Sequence, residues 1–309
     1  MANQPITSAA GSIGSSGANV QVTYLSDLVV RARKNRGGPL RMVTDVSADI
    51  EEQGASCQVW SAPNLTSRTL NDGASIVRDD DTGSSATVTI NRLRYSAFAM
   101  TTVAAAMGGD AIAQGRLESA IAAVINGTEE DVLSLVSGFA NNATAGTGNT
   151  ALTEAEMVEA SQVLDTAKIP KPYFGLIRPD AKGWYALTQL ANFTAADHTG
   201  LSNPKFEDGM GAGRLWHGVR WYPCHAVNKS GTTTYNFVFN PQAVAVAFRM
   251  PVAPNTNAAQ AYNIVDVESG IAFQIVEQYD RDTMANELVV RVLYGYAEVS
   301  DDHGIQLLS

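Results

Sequence analysis

Cys224 and His225 are the most metal-capable pair of neighbours in this sequence. A thiolate and an imidazole both bind zinc, but a structural zinc site needs four such donors. Successive side chains on a strand point to opposite faces, so this pair would not share an ion. Cys57, the only other thiol, lies far upstream, and His198, His217 and His303 stand at no ligand spacing. Asp79-Asp80-Asp81 offers the hard oxygens that cations take, yet a solvated turn or an ion pair with a nearby arginine is the ordinary fate of such a run. The same discount applies to Asp301-Asp302. Gly209, Gly211 and Gly213 spell G-x-G-x-G. With no strand before it and no glycine in the sixth position, this is a flexible loop rather than a dinucleotide fingerprint. The nucleophile elbow, the phosphate-binding loop and the helical zinc motif are all absent. The sequence therefore predicts no catalytic residue, no cofactor and no metal.

The 309 residues carry a formal charge of −10 and are 45% apolar. That is ordinary material for a sizeable core. It lacks the clustered Lys and Arg that grip phosphate, although enclosing nucleic acid needs a closed wall rather than affinity. Two distant cysteines indicate a reducing compartment. Met1 to Asn19 has neither the basic nor the apolar region of a signal peptide. No apolar run approaches the length that spans a bilayer. The expectation is a protein made in the cytoplasm, with no membrane partner. The Asn64-Leu65-Thr66 triplet then has no glycosylation meaning.

Several elements are legible. Residues 7–19 are small and polar, and predict an extended arm. Tyr24 to Arg31 predicts a short helix, and Arg31, Arg33, Lys34 and Arg36 form the densest basic cluster before Gly37, Gly38 and Pro39 break it. Ser56–Trp60 predicts a strand. A polar stretch with turn signals follows, and then a run from Ala86 to Ile90 extends through Leu93, Tyr95 and Ala97. Two strands with a long polar tip make a protruding β-hairpin, and loops of that length are usually functional or disordered. Asp110 to Gly138 is the most helical segment, with Leu117, Ile121, Ile125, Thr128, Val132 and Leu135 on one stripe. Asn126-Gly127 predicts a kink or a split within it, Thr128 and Asp131 capping a second half.

Thr153-x-x-Glu156 is a capping-box start, with Met157, Ala160, Leu164 and Ala167 facing inward. Pro170 and Pro172 end that helix. Tyr173 to Ile177 predicts a buried strand. A helix beginning near Pro179 carries Trp184, Leu187 and Leu190 on one face. Residues 192–213 predict a long loop. Val219–Val227 and Tyr235–Phe239 predict strands, and Ile271–Tyr279 and Leu288–Glu298 a final antiparallel pair. Helices and strands alternate irregularly, so the class is α+β.

The order of these parts resembles the Hong Kong 97 fold shared by major capsid proteins of tailed bacteriophages and by encapsulins. Locally, LSDLVVRARKN at 25–35 resembles the opening segment of phage coat families. GRLESAIAAVINGTEEDVLSLVSGF at 115–139 resembles their spine helix. LTEAEMVEASQVLDTAKIPKPYFGLIRPDAKGWYAL at 152–187 resembles the helix, Pro turn and strand of their axial domain. GRLWHGVRWYPCHAV at 213–227 and NPQAVAVAFRMPV at 240–252 resemble segments that follow, and YGYAEVSDDHGIQLL at 294–308 resembles the closing strand. The resemblance implies an N-terminal arm and opening segment over 1–49 and an extended β-hairpin loop over 50–100. It further implies a peripheral domain with a long spine helix over 101–149, an axial domain over 150–265 and return strands of the peripheral domain over 266–309.

It also implies a structural shell subunit that assembles as pentamers and hexamers into the icosahedral head of a tailed phage. Such a head encloses double-stranded DNA without sequence-specific binding. The expected location is the virion, after assembly in the host cytoplasm. An encapsulin-type protein compartment is the alternative within the same fold, and a hydrolase or binding module is the alternative outside it. Some relatives weld subunits through a lysine on the extended loop, but no lysine lies between Lys34 and Lys168 here. That weld is expected to be absent. Contacts between subunits would then involve Arg68, Arg78, Arg92 and Arg94 with acidic partners, and the Asp79, Asp80 and Asp81 run. No long helical pro-region precedes the fold, which implies a separate scaffolding protein, alongside a portal. Gly37, Gly38, Gly108, Gly109 and Gly127 are the expected hinges for a rearrangement between two packings.

Overall fold

The computed structural model describes residues 38–53, 55–61, 67–70, 75–78, 84–139, 145–189, 214–252, 259–265, 271–280 and 285–309. The first elements are β1 (Thr44–Asp45), α1 (Ser47–Gln53) and a hairpin of β2 (Ser56–Ser61) with β3 (Ser84–Thr89). Strand β4 (Arg92–Thr101) runs directly into the long helix α2 (Thr102–Leu133). Next come β5 (Ala145–Gly146), α3 (Glu154–Thr166), β6 (Tyr173–Ile177) and α4 (Trp184–Thr188). The remainder is β-rich: β7 (Arg214–Trp216), β8 (Val219–Pro223), β9 (Lys229–Ser230), β10 (Thr233–Phe239) and β11 (Val244–Arg249). It closes with β12 (Ala259–Val265), β13 (Ala272–Asp280), β14 (Ala285–Glu298) and β15 (Gly304–Leu308). The α+β class is as the sequence predicts.

Two sheets organise these strands. The first runs β1-β11-β14-β13-β12, with β4 along the other edge of β14. The second runs β5-β15-β10-β6-β8-β7, with β9 on β10. The second sheet is covered on both faces. Leu176, Phe237 and Phe239 join the core shared with α2 and the first sheet. Tyr173, Ile177, Val238, Trp221, Ile305 and Leu307 face α3. Burial on both faces explains why these strands read as apolar runs without alternation. Gly175 stands opposite Trp221 in register, and a Cβ there would lie 2.3 Å from the indole ring. The glycine opens the space for Trp221, the fully buried tryptophan of this core.

Helix α2 is 32 residues long, roughly 48 Å at 1.5 Å per residue. Its predicted stripe is the packed one: Leu117, Ile121, Ile125, Thr128 and Val132 are buried, and Leu135 packs beside them. Three expectations change here. The helix begins at Thr102 rather than Asp110, so Gly108 and Gly109 fall inside it. It does not split at Asn126-Gly127. Thr128 caps nothing: its hydroxyl donates 2.9 Å to the Val124 carbonyl one turn back, which satisfies a buried polar group without breaking the helix. Burial of the flanking stripe outweighs the ~1 kcal/mol helix penalty of one glycine. The capping box of α3 is present, with the Thr153 amide donating 2.8 Å to Glu156 Oε2 and the Thr153 side chain bonded in return. The helix expected from Pro179 is one short turn, α4, beginning at Trp184.

Sheet membership also departs from sequence order. Leu93, Tyr95 and Ala97 do not extend the hairpin. The chain breaks after β3, and they belong to β4, in the first sheet. Segment 266–309 is divided, because β13 and β14 lie in the first sheet while β15 pairs with β10 in the second. Conversely β11 and β12, inside 150–265, belong to the first sheet.

Candidate assembly interface

The β2–β3 hairpin is an arm, and its root is built on small residues. Along β14 the side chains of Leu288, Val290, Val292 and Tyr294 enter the core, so Leu293, Gly295 and Ala297 face outward. On β11, Ala245 pairs with Ala297 and Ala247 with Gly295. These four positions form a nearly bare patch of sheet. Cys57 and Val88 of the arm pack there with Val46, Ile50, Ala245 and Ala247. Val88 is fully buried. At Gly295 a Cβ would lie 2.1 Å from the Thr89 carbonyl oxygen. Arm backbone therefore crosses the sheet in direct contact with it.

The opposite face of the same root is held by charge. Arg94, at the start of β4, donates through Nη2 to Asp131 Oδ1 at 2.6 Å and through Nε to Oδ2 at 3.0 Å. This is the bidentate fork that favours arginine over lysine. The Tyr294 hydroxyl donates to Asp131 Oδ2 and accepts from Arg94 Nε at 3.3 Å. Arg92 stacks over the Tyr296 ring at 4.5 Å and approaches Asp131 at 4.0 Å. Three elements, β4, α2 and β14, thus meet at one carboxylate. Burial acts to raise the Asp131 pKa, but the bonds from Arg94 and Tyr294 and the arginine charges outweigh it and hold the carboxyl below its ordinary 3.8. Burial and the bond to Asp131 push the Tyr294 hydroxyl up to about 12. Gly127 faces this cluster, and a Cβ there would lie 2.4 Å from Arg94 Nη1.

Beyond its root the arm shows apolar side chains to solvent. Ile76 is 78% exposed, Val77 65% and Leu70 59%, and Trp60, at the distal end of β2, is 58% exposed. Arg68 lies within this excursion, donating to the Val77 carbonyl at 3.4 Å, and Arg78 is exposed. Leu93 and Tyr95 continue the exposed apolar series on β4. Asp79, Asp80, Asp81 and Gly37 lie outside the described residues, as do the N-terminal segment, the basic cluster at 31–36 and the glycines at 209–213. Gly38 precedes a short 3-10 turn, and its carbonyl accepts from the Arg41 amide. Of the arginines singled out in the sequence, the structure brings together Arg92 and Arg94. Of their partners, the sequence marks Asp131 only as a helix-capping residue and gives no sign of Tyr294, Tyr296 or the crossing glycine Gly295.

The chemistry elsewhere is quiet. Cys57 and Cys224 are free and buried, and burial pushes the Cys224 thiol up to about 12. Such a thiol is not a nucleophile at neutral pH. Among the described residues no three His, Cys, Asp or Glu side chains gather as metal ligands. His217, in the turn between β7 and β8, pairs with Glu154 at 3.3 Å. His303 is half-buried, and burial lowers its pKa against the opposing pull of Asp302. Burial, with Asp301 adding to it, raises the Glu298 carboxyl. Among the described residues no helix is long and apolar enough to cross a membrane.

No protein-family model matches this sequence. No curated protein matches it either. Solved structures do match in fold. A chain of Mycobacterium phage Che8 superposes with a TM-score of 0.59 at 14% identity, covering 86% of this chain and 89% of that one. A chain from the capsid of Cyanophage P-SCSP1u gives 0.56 at 14% identity over 87% and 86% of the two chains. One from the mature capsid of bacteriophage PhiM1 gives 0.52 at 12% identity over 88% and 86%. The fold is therefore the Hong Kong 97 type found in tailed-phage capsids.

Proposed function

We propose that this chain is the major capsid protein of a tailed bacteriophage, a structural subunit and not an enzyme. Copies assemble as pentamers and hexamers into an icosahedral head that holds double-stranded DNA without reading its sequence. A separate scaffolding protein directs closure and a portal occupies one vertex. Assembly takes place in the host cytoplasm, and the finished protein resides in the virion.

The observation that carries this reading is the arm. A two-stranded hairpin has marginal stability by itself in water, yet this one projects beyond its seat with Leu70, Ile76 and Val77 exposed. An exposed apolar series on a projecting element is an interaction surface. In a shell, neighbouring copies cover it. The fold shared with phage capsid chains supports the same reading. A net charge of −10 suits a wall that does not adhere to packaged DNA.

The test is negative-stain electron microscopy of the purified protein, expressed with and without its genomic neighbours. Closed polyhedral shells tens of nanometres across are expected, and shells only with a neighbour identify the scaffold. Shells that load a cargo protein instead of DNA point to the encapsulin alternative. A persistently small species in both preparations overturns the capsid reading.

A further inference from the structure

We propose that Asp131 is a positioning residue: acting through Arg94, it fixes the angle at which the hairpin arm leaves the body of the subunit. The inference deepens the capsid reading, in which the direction of the arm decides which neighbour it meets. Its physical content, however, belongs to the single chain.

The argument rests on where the bonds fall. Arg92 and Arg94 are the first and third residues of β4, immediately after the arm returns through β3. The outer face of that junction meets the small side chains and bare backbone of Ala245, Ala247, Gly295 and Ala297, with Val46, Ile50 and Val299 beside them, all of them apolar contacts. Such a seat resists compression but supplies no directional bond, so the arm could pivot on it. Direction comes from the inner face. There the planar fork of Arg94 meets both oxygens of Asp131, and Tyr294 holds the same carboxylate from β14. Asp131 is on α2 and Tyr294 on β14, so the carboxylate joins the junction to the two longest elements among the described residues. Gly127 belongs to the same device. One turn before Asp131 on α2, its missing Cβ is the space through which the guanidinium passes. This explains a glycine in a helix that gains nothing from it. The glycine serves as a seat for Arg94.

Hydrogen exchange of the intact chain, read by mass spectrometry, tests this. Asp131→Asn keeps the shape and removes the charge. Charge-assisted bonds of this kind support an expected rise in exchange of residues 84–94 on the order of tenfold. Exchange of the buried strands 272–280 and 285–292 should stay as in the parent chain. Arg94→Gln should give the same rise, and the double variant no further rise, because each single variant already breaks the same two-bond fork. Gly127→Ala separates positioning from mere stability. It keeps both charges and favours the helix, but displaces the guanidinium, so the body should melt no lower while the arm root exchanges faster. Uniformly faster exchange across α2 and both sheets would overturn the proposal, as would an unchanged arm root in all three single variants. Neither result depends on whether shells form, so failure here is distinct from failure of the capsid reading.

Discussion

Replacing Gly295 with alanine puts one methyl group where the arm crosses the sheet. That carbon would lie 2.1 Å from the Thr89 oxygen, 2.6 Å from its carbonyl carbon and 2.9 Å from the Ile90 nitrogen. All three are backbone atoms, so no rotamer change relieves the clash. The crossing strand must rise by roughly 1 Å to reach ordinary contact, and a gap of that size forfeits a quarter to a half of the dispersion under Val88 and Cys57. Overpacking of this type costs about 1–3 kcal/mol. At ~2 °C per kcal/mol for a chain of this size, the melting temperature should fall by about 2–6 °C. Calorimetry gives the melting temperature, and limited trypsin digestion gives the site. Arg92 and Arg94, bound within the first strand after the crossing, should become cleavable. Gly115→Ala is the control, because a Cβ there meets nothing within 4 Å, and it should stabilise the helix by up to ~1 kcal/mol. If Gly295→Ala melts with the control and shows no new cleavage, the crossing is not seated on bare backbone and the account of the arm root is wrong.

Three more outcomes are expected. Asp131 has a folded pKa below its unfolded value, so its contribution is present above about pH 4 and is lost as pH falls through the folded pKa. Urea unfolding across pH 2–6 should therefore show an acid-side loss that Asp131→Asn lacks; parallel curves would remove the carboxylate from the account. Glu298 has a raised folded pKa through burial and Asp301, so its charge costs stability above that range, and Glu298→Gln should be more stable at pH 7 with the difference vanishing in acid. Gly127→Pro removes a helix bond inside α2, near its C-terminal end, and should cost ~3 kcal/mol or more; normal mature particles from that variant, seen by microscopy, would contradict a continuous α2 as a requirement of the proposed shell.

Much of this architecture is legible in the sequence where a local rule applies. The stripe from Leu117 to Val132 is a plain helical period, and Thr153 with Glu156 states the start of α3 two different ways. Tyr173–Ile177 is a short apolar run bounded by prolines, and the strand has the same limits. Legibility fails where tertiary burial overrides a local signal. Gly108-Gly109 and Asn126-Gly127 resemble helix breaks, but α2 continues through both. Val244–Arg249 is buried on both faces, so it has no alternation to distinguish strand from helix. The arm root is illegible for a different reason. Arg94 and Asp131 are 37 residues apart and Arg94 and Tyr294 are 200 apart, and no periodicity reports a meeting of that kind.

The bare patch under the arm makes the hairpin a lever. Its six-residue strands extend roughly 20 Å beyond the fulcrum at Gly295. A tilt of about ten degrees there would carry the far end by roughly 3.5 Å, more than the reach of a hydrogen bond. Small changes at the root become whole-residue displacements at the tip. In the proposed shell, substitutions within the patch at Ala245, Ala247, Gly295 and Ala297 would then alter curvature between neighbouring copies, and with it the diameter of the particle, while leaving the exposed residues of the arm unchanged.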